Sequence, residues 1–109
     1  MVKGKLWTQR DKYRNDIYLT AERWKHIVDP ENHPELEPLA DHVRETIRRG
    51  RRKQDALRPD AHTYSLAFDD LPDDKTHIVV AVIFRRVAGA QGSEQSENFV
   101  VTAYFRERE

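Results

Sequence analysis

Cysteine is absent from the 109 residues. Disulfides, cysteine-based zinc sites and thiol nucleophiles are therefore excluded. A glycine-rich phosphate loop, a serine nucleophile elbow and a paired-carboxylate pattern are missing as well. The longest apolar run, Ile78 to Phe84, is far shorter than the ~20 residues that cross a bilayer, so no membrane partner is expected. With no charged-then-apolar leader visible, the expected location is cytoplasmic. Excess charge of either sign is also lacking, since 19 Lys and Arg balance 19 Asp and Glu. That balance argues against a protein that coats nucleic acid through its overall charge. It leaves room for a local phosphate-binding patch.

What is present reads as one domain over residues 1–109. The charged fraction is 35% and the mean hydropathy −0.88, so the surface is strongly polar. Hydrophobic residues are nevertheless bunched into periodic segments, which argues for folding rather than disorder. Lys5 to Trp7 and Asp16 to Leu19 read as one or two short strands around a charged turn. Thr20 is placed to cap a helix whose apolar stripe is Ala21, Trp24, Ile27 and Val28, and Pro30 stops it. Pro34 and Pro38 precede a second helix with Leu36, Leu39, Ala40, Val43 and Ile47 on its buried face. Gly50 is expected to close that helix in the left-handed conformation.

Beyond Gly50 the period changes to twofold. A strand is expected between Arg52 and Leu57. Residues 62–68 alternate, with Tyr64, Leu66 and Phe68 on one face. The run 78–84 is apolar on both faces and reads as the central strand. Residues 87–98 read as a mobile hairpin loop. In the last strand Phe99, Val101, Ala103 and Phe105 are expected to face one way, and Val100, Thr102 and Tyr104 the other. The expected fold class is α+β, with an N-terminal helical pair packed on one face of a three- to four-stranded antiparallel sheet.

Several side chains suit chemistry, each with a structural alternative. His26 lies opposite the apolar stripe of its helix, so it is either a solvated histidine or an acid–base group suited to neutral pH. His33 precedes Pro34, which holds it extended; it either packs the helix junction or presents its ring, with Glu35 as a carboxylate neighbour. The run Arg48, Arg49, Arg51, Arg52 and Lys53 either complements a helix C-terminus or contacts phosphates. Thr102 and Tyr104 share a strand face, where they pair across strands or donate to a phosphate. Tyr64 and Arg106 join them if the sheet pairs accordingly. No histidine pair at i, i+4 flanks a glutamate, so no metal and no cofactor are expected.

The order Leu19-Thr20-Ala21-Glu22-Arg23-Trp24-Lys25-His26-Ile27, His33-Pro34-Glu35-Leu36, then Val101-Thr102-Ala103-Tyr104 resembles the phage-associated branch of the Barnase–EndoU–colicin E5/D–RelE nuclease superfamily. The resemblance covers about Leu19 to Tyr104. It implies a RelE/barnase-like fold and a toxin-like RNA endonuclease that needs no metal, with RNA as substrate and an antitoxin or immunity protein as a further partner. It points to His26, His33, Thr102 and Tyr104 as the catalytic set; the cleavage mechanism read from these residues adds Arg23 as a phosphate contact. The family's usual Arg-His-Pro-Glu appears here as Asn32-His33-Pro34-Glu35. That missing cation motivates the alternative, a non-catalytic RNA-binding or partner-binding module of the same fold.

Overall fold

A computed structural model describes residues 4–89, 92 and 94–107. The strands are β1 (Lys5–Arg10), β2 (Asp16–Thr20), β3 (Arg51–Gln54), β4 (Ala61–Ala67), β5 (His77–Ala88) and β6 (Glu94–Arg106). Between β2 and β3 come helix α1 (Ala21–Ile27), a 3₁₀ helix (Pro34–Leu39) and helix α2 (Ala40–Arg49). All six strands join one sheet in the order β1-β2-β6-β5-β4-β3. Neighbours run antiparallel except β2 and β6, which meet in parallel at Tyr18 and Phe99.

The α+β class stands, but the expected helical pair on a three- or four-stranded antiparallel, RelE/barnase-like sheet does not. The sheet is six-stranded and mixed. The N-terminal hairpin does not stand apart from the C-terminal strands; it extends their sheet through β6. Such a pairing between segments some 80 residues apart leaves no local mark on either one.

Each element has a local cause. Thr20 caps α1 by accepting from the Arg23 amide at 3.1 Å. Trp24, Ile27 and Val28 turn inward while Ala21 stays exposed. The second helix is divided where Pro38 supplies no amide and its ring crowds the preceding turn. Residues 34–39 therefore wind as 3₁₀ and α2 begins at Ala40. Gly50 is not left-handed (φ −71°). It is needed for closeness instead: a Cβ would sit 2.2 Å from the Thr46 carbonyl oxygen and 2.9 Å from that of Ser65.

The helices cover one sheet face. There Ile17, Leu19, Tyr64, Val80, Val82, Val100 and Ala103 meet Ile27, Leu36, Val43 and Ile47 in the core. Full burial of such an aliphatic side chain is worth ~1.5–3 kcal/mol. The 87–98 segment is not a long loop. β5 runs to Ala88 and β6 starts at Glu94; of the expected loop, residues 90, 91 and 93 lie outside the described ones. Strict alternation in the last strand also fails. A bulge sets Ala81 opposite Thr102 but Val82 opposite Val100, so Val101 is the extra residue. Val100 thereby joins Ala103 in the core, and Phe99, Thr102 and Tyr104 share the uncovered face.

Candidate functional site

β2 leaves β6 after its single paired position, and α1 with the segment behind it lies alongside β2 and β6. The exposed side of α1 carries Arg23 and His26, which line a depression with Thr20 and Glu22. The chain then folds back on the helix end. Asn32 Nδ2 donates to the His26 carbonyl at 2.8 Å, and the His33 amide donates to the Ile27 carbonyl at 2.9 Å. His33 is thus tied to the turn that bears His26. Its backbone (φ −126°, ψ 64°) avoids the helical region that the following proline disfavours, but it is not extended as expected.

The His33 ring faces Tyr104, with centroids 6.3 Å apart and planes tilted by 37°. Its Nδ1 lies 3.6 Å from the Glu35 carboxylate, a charge neighbour rather than a hydrogen bond. Tyr104 belongs to the uncovered face together with Thr102. Two cross-strand rows run over that face: Arg51, Ser65, Val79 and Tyr104 in one, Lys53, Thr63, Ala81 and Thr102 in the other. Small side chains occupy the middle, leaving a trough between hydroxyls on β6 and cations on β3. Its two sides are three inter-strand steps apart, about 14 Å.

The basic run does not act as one patch. Arg48 and Arg49 both grip Glu45, at 2.6 and 2.7 Å. The Arg48 hydrogen bond, more than any other cause, holds the Glu45 carboxyl below its ordinary range. Arg52 stacks over Tyr13 and Phe84, 4.5 and 5.6 Å from their centroids. Arg51 and Lys53 remain on the open face, where Lys12, Arg49 and Arg106 border the same depression as Thr63 and Ser65.

Tyr64, expected among the phosphate contacts, is a core residue with 0% exposure. Its hydroxyl donates to Asp11 Oδ2. Asp11 also accepts from the amides of Tyr13 and Asn15 at 2.9 and 2.8 Å, so this network pins the β1–β2 turn to β4. The remaining histidines have structural partners: His42 meets Asp70 at 2.9 Å and packs on Phe68, His62 packs edge-on against Phe84, and His77 Nδ1 lies 2.7 Å from the Thr76 hydroxyl. Burial pushes the His62 imidazole down.

Sequence reading missed the Tyr18–Phe99 ring pair, with centroids 5.9 Å apart. It also missed Arg85, 5.0 Å above the Phe99 ring. Alternation in β2 marks Tyr18 as facing away from Ile17 and Leu19, but nothing local announces Phe99 as its neighbour. Among the described residues no three His, Asp or Glu side chains converge as a metal site, and no helix is long and apolar enough to cross a membrane. No family model, no curated protein and no solved structure matches this chain.

Proposed function

We propose that the chain is a toxin-like RNA endonuclease that shares the ordered motifs, though not the expected sheet, of the Barnase–EndoU–colicin E5/D–RelE superfamily, acting in the cytoplasm without a metal and held in check by an antitoxin or immunity protein. The observation that carries this reading is the seating of His33 against Tyr104 by the segment that folds back onto the His26 turn. The ordered motifs quoted above support it.

In the reaction one imidazole takes the proton of a ribose 2′-OH, whose oxygen attacks the adjacent phosphorus. The 5′-oxygen leaves with a proton from the other imidazole, giving a 2′,3′-cyclic phosphate and a 5′-hydroxyl. Such acid–base help is worth ~10²–10⁴-fold. Thr102 and Tyr104 donate to the crowded phosphorane and Arg23 offsets its charge, a contribution of similar or larger size. Arg51 and Lys53, about 14 Å across the trough, hold a neighbouring phosphate of the same strand.

The test is cleavage of a labelled single-stranded RNA. His26→Ala and His33→Ala should each lower the rate by ~10²–10⁴-fold with unchanged melting. A chelator should have no effect, and 2′-deoxyribose at the scissile position should block the cut. Cleavage of that substituted strand overturns the mechanism. One observation favours the second reading, a binding module: Asn32 stands beside His33 in place of a cation and spends its amide on the His26 carbonyl. If both alanine variants leave RNA turnover and cell toxicity unchanged while RNA or partner binding survives, that reading holds.

A further inference from the structure

We propose that the Tyr18–Phe99 ring pair, rimmed by Arg85 and Arg23, is a nucleobase-stacking subsite for single-stranded RNA beside the His26 depression. The inference rests on the RNA reading above and adds to it a place where one base is held. Tyr18 and Phe99 lie on the sheet face that no helix covers, and both are only half-buried. Rings on such a face do not belong to the core.

They line a 140 Å³ depression together with Thr20, Arg23, Arg85 and Val100. Its floor is aromatic and its rim is cationic. That combination suits a flat ring attached to an anion, which is a nucleotide. The Arg85 guanidinium already lies over Phe99, and a planar cation of this kind stacks on a base as readily as on a phenyl ring. Lys5 sits over Tyr18, 4.4 Å from its centroid, so cations flank the ring pair on both sides.

Position ties this depression to the proposed chemistry. Thr20 and Arg23 line both it and the neighbouring depression that contains His26. A base held between Tyr18 and Arg85 would therefore belong to a nucleotide next to the phosphate that Arg23 meets. The β6 bulge keeps Phe99 on the same face as Thr102 and Tyr104, so subsite and hydroxyls follow one strand edge.

The experiment measures binding by fluorescence anisotropy, using a 2′-fluoro RNA of mixed sequence that internal attack cannot cleave. A matched set carries a single abasic position at each place in turn. For the wild type, one abasic position should weaken binding by about 5- to 150-fold, the range found for loss of one stacked base. Tyr18→Leu and Phe99→Leu should bind the intact strand that much more weakly and lose nothing further at that position. Arg51→Gln should weaken binding to intact and abasic strands alike. Should Phe99→Leu fail to fold, Tyr18→Leu and Arg85→Gln provide the same reading. The inference is overturned if the wild type is indifferent to every abasic position, or if Tyr18→Leu keeps the wild-type sensitivity. Failure of the wild type to bind the intact strand removes this inference and the RNA reading together. Loss of the cleavage mechanism alone is read separately, on unmodified RNA.

Discussion

Tyr64 and Asp11 illustrate how a residue of apparent functional type is absorbed by the fold. The phenol is held above its ordinary 10.0 by burial first and by its bond to Asp11 second. A folded-state value above the unfolded one gives stability that is present below pH 10 and falls as pH climbs beyond it. Tyr64→Phe also takes a hydrogen-bond donor from the buried Asp11 side chain, so it should cost ~1–3 kcal/mol at neutral pH. The same change should also flatten the decline above pH 10. Denaturant melts of both proteins at pH 7 and pH 10.5 check the two statements; an unchanged alkaline slope in the variant would assign the decline to another group. Asn32 is a second such residue. Read from sequence it is a lost cation, whereas in the fold it ties the His33 segment to α1.

Among elements, β6 decides the most. Its bulge places Val100 in the core while sending both Phe99 and Thr102 to the open face. Deleting Val101 removes the extra residue yet leaves Val100 opposite Val82 and Thr102 opposite Ala81, so no side chain changes face. The deletion should therefore keep cooperative unfolding, within the ~0.5–3 kcal/mol of an ordinary single change. A non-cooperative melt would show that the bulge itself is needed. The α1 cap and the alternation in β4 were legible locally, because each depends on neighbours within a few positions. The bulge was not legible, since only the partner strand defines which residue is extra.

For the molecule as a whole, zero formal charge conceals a sorted surface. Arg51 and Lys53 face the trough, while Arg48 and Arg49 are engaged by Glu45 and Arg52 by two rings. Binding to single-stranded RNA should weaken with salt, the slope of log affinity on log salt falling by about 0.7 for each phosphate contact removed. Arg51→Gln with Lys53→Gln should reduce that slope by about 1.4, and Arg52→Gln should leave it unchanged. Equal slopes for all three proteins would remove β3 from the RNA path. The exposed ion pairs on Glu45 add little to stability by comparison.

Periodicity determined that the α1 and α2 segments wind and that β4 extends, because burial of every third or fourth residue, or every second, is written in the order of side chains; it did not show that β5 and β6 reach into residues 87–98. It also marked His26 as outward-facing. What tertiary structure decided was adjacency: that β2 runs parallel to β6, that Tyr64 is core, and that His33 meets Tyr104. These contacts join residues that are distant along the chain, and their energy comes from closing the sheet and covering it with helices. A short stretch of sequence carries no trace of a partner it meets only after that closure.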